Sequence, residues 1–313
     1  MTIGNSEKLI KEKAIALGFT ACGITRCKSF EKESIALDSW LQNEYHSDMH
    51  FMTRYKEKRK NPVLLHKDVK SVIVLLINYR NPDYIKNKQS NYVFAEYALG
   101  KDYHFVIKEK LQKLSDFLTT MFGPSDNSIY VDSAPIFEKA FAVEAGLGWI
   151  GKNTLLINSK GSRFLIGELF TNLDLCPDEP CRKSGCENCN KCVDACPTNA
   201  LIKPYVLNTR RCLSYQSIER KQITWNDELK PFISKYIFGC DICQRVCPYN
   251  QQSEPTKVPE FKIKNELLSF SDNQWETLSE SDFNRIFVDS PVHRLGYRKF
   301  MENIFTAKET LSF

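Results

Sequence analysis

Ten of the chain's 12 cysteines fall between Cys176 and Cys247, and this crowding constrains the fold more than any other feature. The run Cys186-x2-Cys189-x2-Cys192-x3-Cys196-Pro197 and the partial repeat Cys240-x2-Cys243-x3-Cys247-Pro248 have the spacing at which thiolates hold a pair of 4Fe-4S clusters. Tight x2 turns aim three sulfurs at three irons of one cube. The longer x3 step carries the fourth sulfur onto a helix start that faces away, toward the other cube. The repeat lacks its first cysteine, because Ile237 stands there, and Cys212 is the available donor. The expected sets are Cys186, Cys189, Cys192 and Cys247 for one cluster, and Cys196, Cys212, Cys240 and Cys243 for the other. A zinc ribbon would ask instead for two separated pairs with apolar strands between them. Cys22, Cys27, Cys176 and Cys181 are left over and read as buried or incidental thiols.

A length of 313 residues suits two domains, or one carrying an insertion. With 42% hydrophobic and 26% charged residues and 13 Gly beside 13 Pro, collagen, coiled coil and wholesale disorder are excluded. The longest aliphatic run, Val72 to Ile77, is far short of the roughly 20 residues of a membrane span. The N-terminal stretch MTIGNSEKLIKEKAIALGF reads as an amphipathic helix with neither an apolar signal core nor twin arginines, so a cytoplasmic location is expected. The net charge of +5 is mild. Residues 52–70 nonetheless hold seven Lys or Arg against two acids, and Arg210, Arg211, Arg220 and Lys221 form another basic stretch. Either patch suits phosphate contacts or a solvated helix face.

The spacing of Leu9, Ile10, Ala14, Ile15 and Leu17 predicts a helix, with Asn5 or Ser6 as its cap and Gly18 as its stop. A strand follows over Phe19 to Ile24. Ser71 to Tyr79 reads as a strand buried on both faces, 104–122 as a helix, and Ile129 to Asp132 as a short strand. Phe137, Ala140, Phe141, Glu144 and Ala145 space out as a helix closed by Gly146. Apolar runs at Thr154 to Ile157 and Phe164 to Phe170 complete a layered α+β unit over 1–173. Residues 174–250 are poor in core-forming side chains and need an inorganic core. Residues 251–313 end in a helix expected to bury Phe300, Ile304 and Phe305.

Two clusters move electrons but transform no substrate unaided, so the preceding domain should hold a redox centre or a substrate. There Asp132-Ser133-Ala134-Pro135, the stretch from Ala145 through GLGWIGKN to Ile157, and Gly167-Glu168 are found. With the cysteine run, Arg211-Cys212-Leu213-Ser214-Tyr215 and Gly239-Cys240-Asp241-Ile242-Cys243, these resemble the epoxyqueuosine reductases. Arg54 to Pro62 and Tyr97 to His104 extend the resemblance over nearly the whole chain. It implies a cobalamin-binding catalytic domain, nitroreductase-like and akin to that of the reductive dehalogenases, packed against a ferredoxin-like two-cluster module. It further implies reduction of epoxyqueuosine to queuosine at the wobble position of tRNA, by cob(I)alamin fed from the clusters. A low-potential donor such as flavodoxin or ferredoxin, and a monomeric state, are expected. The rival readings are a cytoplasmic dehalogenase-like cobalamin enzyme and a two-cluster electron-transfer protein.

Under this resemblance Asp132 matches the family's proton donor. A carboxyl can serve only if its pKa is held up, by burial against the corrin and apolar neighbours such as Ala134 and Pro135. Spacing alone offers another role, an N-cap just before the following helix. Gly146, Gly148 and Gly151 satisfy a dinucleotide-type spacing, but the motif follows a helix rather than a strand, which argues against a Rossmann turn. It reads as a corrin-lining loop, with Trp149 packing, Gly151 permitting close approach, and Lys152 and Asn153 hydrogen-bonding amide arms or phosphate. A plain helix-to-strand turn is the alternative. Arg54, Tyr97, Ser214 and Asp241 are further candidate cofactor contacts. Tyr103 and His104 lie in a matched motif, where His104 is a site residue or a satisfied structural one.

Overall fold

A computed structural model describes residues 5–311. Its main sheet has four strands in the order Ala21–Arg26, Ser71–Asn78, Phe164–Thr171, Asn127–Tyr130, every neighbouring pair antiparallel. Ser71–Asn78 is apolar at nearly every position, so both of its faces must be covered, and Val72 to Ile77 are fully buried. Alternation sends Ile73, Leu75 and Ile77 to one side and Val72, Val74 and Leu76 to the other. The first side meets the helices Asn5–Ala16 and Tyr103–Phe122 through Ile10, Ala14, Ile107 and Leu111. The second meets the helix Glu138–Glu144 through Ala140 and Phe141. Gly167 lets the long helix press on the sheet, since a Cβ there would stand 2.6 Å from Ile107. The result is the α+β layering expected.

The helix Tyr103–Phe122 starts at Asp102, whose side chain accepts from the His104 amide, and stops at Gly123 with φ +85. That start fixes Tyr103 and His104 in the first turn, where both reach Asp132. The N-terminal helix already includes Asn5 and Ser6, so neither stands before its first turn as a cap would, and the residues preceding it lie outside those described.

The cysteine-rich segment has little regular structure beyond the short helices Lys191–Asp194 and Ile242–Arg245 and a hairpin, Leu201–Lys203 with Val206–Leu207. Tyr236–Phe238 pairs in parallel with Val93–Phe94 of the first segment. A second apolar core forms around that pairing. Phe94, Trp225, Phe238, Trp275, Phe287 and Phe300 share it, so it draws on all three sequence segments. The C-terminal helix Tyr297–Leu311 buries Phe300, Met301, Ile304 and Ala307, while Phe305 is 47% exposed. Phe300 and Ile304 are buried as expected and Phe305 is not, because the buried stripe runs along i, i+1, i+4 and i+7 and leaves i+5 toward solvent. Among the described residues no helix is long and apolar enough to cross a membrane.

Candidate active site

The strand Asn127–Tyr130 ends two residues before Asp132, which takes a left-handed φ of +55. Such a conformation costs a non-glycine residue about 1–3 kcal/mol, and the surroundings hold it. The Asp132 amide donates to Glu138 Oε1 at 2.6 Å, and the Tyr103 hydroxyl donates to Asp132 Oδ2 at 2.9 Å. His104 Nε2 stands 3.3 Å from that same oxygen, and His104 Nδ1 stands 2.8 Å from Asp102 Oδ1. The Tyr103 and His104 rings stack at 4.2 Å. Asp132 does not cap the next helix, whose capping position is Phe137.

With a carboxylate facing each ring nitrogen, both nitrogens of His104 carry protons. Burial pulls its pKa down, but the bonds and charges of Asp102 and Asp132 prevail and raise it to about 9. Asp132 behaves opposite to the expectation drawn from its apolar neighbours. Its side chain opens on a cavity and is 60% exposed. The cavity walls push its pKa up, yet the hydrogen bonds from His104 and Tyr103, with the charges of His104 and Arg294, outweigh them. The carboxyl is held below the usual carboxylate range. Behind it, burial and then the Asp132 charge push Glu138 up to about 8. Glu168, fully buried in the strand Phe164–Thr171 with neither oxygen hydrogen-bonded, is raised well above the normal value by burial.

The cavity beside Asp132 measures about 580 Å³. Tyr97, Lys139, Asn153, Ser214 and Asp241 belong to its wall, and so do Cys196, Cys212, Cys240 and Cys243. A smaller space, also touching Asn153, is ringed by Cys186, Cys189, Cys192 and Cys247. Among the described residues no three His, Cys, Asp or Glu side chains are placed to hold one metal ion. Each set of four cysteines instead borders an open space, which is what a multi-iron cube needs. Burial pushes the Cys22 and Cys27 thiols up to about 12 and about 11, and Cys176 is exposed.

Not every candidate reaches the cavity. Asp132, Tyr97, Asn153, Ser214 and Asp241 line it, while Arg54, Trp149, Gly151 and Lys152 do not. Arg54 is exposed at the end of a single-turn helix. Trp149 lies edge-on to Tyr249 at 5.0 Å, beside Cys186 and Cys247. Lys152 donates to the Glu187 carbonyl at 2.7 Å and to Asn190 Oδ1 at 2.9 Å, which ties its turn to the first cysteine loop. Gly151 makes room for the Ile157 side chain rather than for the cavity. Asp241 turns its carboxylate inward, accepting from the Glu96 amide at 2.8 Å and facing Arg163. No sequence motif singled out Glu138, Lys139 or Arg163. Glu168 stood in the matched Gly167-Glu168 pair, and a charged residue inside the apolar run FLIGELF was the further signal for it.

A mixed layered domain whose acid-bearing cavity opens onto one of two four-thiolate sets defines an iron-sulfur oxidoreductase. Residues 185–250 match a family described as "4Fe-4S double cluster binding domain", and residues 59–133 match "Epoxyqueuosine reductase QueG, DUF1730". The chain is 42% identical over 303 residues to an epoxyqueuosine reductase of Leadbetterella byssophila, covering 96% of this chain and 98% of that one. It is 41% identical over 302 residues to one of Cellulophaga algicola, covering 95% and 96%. A crystal structure of epoxyqueuosine reductase with a tRNA-Tyr epoxyqueuosine-modified stem loop superposes with a TM-score of 0.88 at 28% identity, covering 99% of this chain and 82% of that one. The chain belongs to the epoxyqueuosine reductase family.

Proposed function

We propose that this chain reduces the epoxide of epoxyqueuosine at the wobble position of tRNA to the cyclopentene of queuosine, with cobalamin in the cavity and two 4Fe-4S clusters supplying electrons. The carrying observation is one cavity whose wall includes both Asp132 and Cys196, Cys212, Cys240 and Cys243. In this reading Cys186, Cys189, Cys192 and Cys247 bind the cluster nearer the surface donor, and the other four bind the cluster nearer the substrate. The wall suits a flat macrocycle edged with amides, since it combines the apolar Leu155, Leu165, Leu201 and Leu207 with the polar Asn153, Thr154 and Ser214. Bound there, cobalamin supplies a low-potential metal able to deliver electrons to a strained ring.

The protein's own part is proton delivery. Converting an epoxide to an alkene sends the oxygen away as water, so protons must reach it. Asp132 is ionised at neutral pH, while His104 is protonated and 3.3 Å from Asp132 Oδ2. The acid is therefore the His104–Asp132 pair: His104 holds the proton at Nε2 and Asp132 carries it to the departing oxygen. Tyr103 fixes the carboxylate from the other side. The exposed basic side chains Arg54, Lys58 and Lys221 offer contacts to tRNA phosphates. A cytoplasmic site of action and a flavodoxin- or ferredoxin-type donor fit this chemistry.

The test is Asp132→Ala in anaerobically reconstituted protein with an epoxyqueuosine stem loop. Turnover is expected to vanish with both cluster signals intact, and undiminished turnover would refute the proton role.

A further inference from the structure

Epoxyqueuosine carries its epoxide on a small carbocycle joined to the base through an aminomethyl link. That alkylamine is protonated at neutral pH, as a lysine is, so a positive charge enters the cavity a few bonds from the reacting oxygen. A cation taken out of water needs an anionic partner. Building on the proposed function, we propose that Glu219 is that partner: its carboxylate takes the substrate's ammonium and so selects the modified wobble base over plain guanine.

The cavity wall offers few alternatives. Among the described residues its carboxylates are those of Asp132, Glu219 and Asp241. Asp241 is turned onto the Glu96 amide and Arg163. Asp132 is occupied on Oδ2 by Tyr103 and His104, and in the proposed reaction it faces the epoxide. Glu219 is the remaining one. It directly follows the helix Leu213–Ile218, with its amide donating to the Tyr215 carbonyl at 2.8 Å, so its backbone is fixed to the helix that begins beside Cys212.

The side chain is aimed but not used up. Glu219 Oε1 accepts from Arg294 Nη2, brought in by the turn Pro291–Leu295, and no other donor is found on this carboxylate among the described residues. Oε2 is left to accept from a ligand. The Glu219 side chain is 32% exposed and that of Arg294 51%, so the pair is too open to be strong and serves to fix the carboxylate's direction. The site lies near the reacting end of the cavity. The charges of Arg294, Glu219 and Asp132 all act on Tyr97, another wall residue, whose ring meets that of Tyr103 edge-on at 6.0 Å. Tyr103 in turn donates to Asp132. One carboxylate at the epoxide and a second for the nearby ammonium match the order of groups along the substrate's side arm.

Glutamine at 219 keeps an acceptor oxygen for the ring hydroxyls and removes only the charge, which makes Glu219→Gln the informative change. The test is equilibrium binding, to iron- and cobalamin-loaded protein, of anticodon stem loops that differ only in the wobble base: epoxyqueuosine, queuosine or guanine. The wild type is expected to bind the first two about 10- to 100-fold more tightly than the third, as for one charge-assisted hydrogen bond. Glu219→Gln is expected to erase most of that preference and to leave affinity for the guanine loop as it was. Arg294→Gln, which removes the tether but keeps the carboxylate, is expected to retain the larger part of the preference. Equal affinity of the wild type for the queuosine and guanine loops overturns the proposal, and that result needs no variant to fold. So does a Glu219→Gln protein that keeps the preference. Equal weakening on all three loops, or a preference lost as fully in Arg294→Gln, would mark the pair as merely structural and overturn it too. A wild type that shows the preference but leaves the epoxide unreduced would sink the proposed function and leave the ammonium site standing.

Discussion

Replacing Arg163 by methionine should damage this protein far more than a surface change, and the structure says by how much. Arg163 Nη1 lies 2.7 Å from Glu96 Oε2 and 3.4 Å from Asp241 Oδ2, with all three side chains less than one-tenth exposed. Burial alone would weaken the guanidinium's hold on its proton, yet the two carboxylates reverse that and raise its pKa. Methionine keeps the stem and removes the charge. Glu96 and Asp241 would then share one interior site with the Asn81 amide and the Glu96 amide as donors and Arg80 as the more distant cation acting on Glu96. Breaking a buried pair in this way costs about 3–5 kcal/mol, a large share of the roughly 5–15 kcal/mol that holds a typical domain together. Burial already pushes Glu96 above the usual carboxylate range, with Arg163 opposing. In the variant Glu96 should take up a proton first, so the deficit should shrink as pH falls toward about 5. Asp241 sits between Cys240 and Cys243, so the second cluster should be lost before the first and the iron content should drop toward half. Urea midpoints of the iron-loaded proteins, read in parallel with iron analysis, test this. An Arg163→Met variant within ~1 kcal/mol of wild type, as for a surface pair, and with full iron at neutral pH would show that the triad carries no such weight.

Further outcomes are expected for His104 and for the cysteines. His104→Gln removes the cation that holds the Asp132 carboxyl low, so that carboxyl should move back toward its ordinary value and turnover should fall by about 10²-fold or more. Because His104 is raised from 6.5 to about 9, its stabilising contribution is fully present below pH 6.5 and is lost as pH rises through 9. Unfolding measured between about pH 6 and 10 should therefore show a wild-type decline that the Gln variant lacks. Among the cysteines, Cys196→Ser should abolish the electron paramagnetic signal of the cluster beside the cavity and Cys186→Ser that of the other. Loss of the same signal in both variants would break the assignment of the two sets.

How much the sequence discloses depends on whether the chemistry is local in the chain. Cysteine spacing is local: x2 and x3 steps limit which sulfurs can face one centre, Cys212 enters only as the available donor, and the two sets so expected line separate spaces in the fold. Ser71–Asn78 was legible for a similar reason, because an apolar, β-branched run has no stable place except between two covered faces. The cluster of titratable groups about Asp132 is not local. Asp132 belongs to the loop after one strand, His104 to the first turn of a helix, Glu138 to the start of another, and Glu168 to the middle of the sheet. The apolar sequence neighbours of Asp132, Ala134 and Pro135, suggested a carboxyl of raised pKa, whereas the long helix brings a cation and a phenol to it and reverses the sign. Lys152 misled in the complementary way. A lysine in a glycine-rich turn suggests a ligand phosphate, but its ammonium is consumed by a carbonyl and an amide of the first cysteine loop. Spacing reports what a residue can reach along the chain, and a pKa or a donor's allegiance is decided by what the fold brings across it.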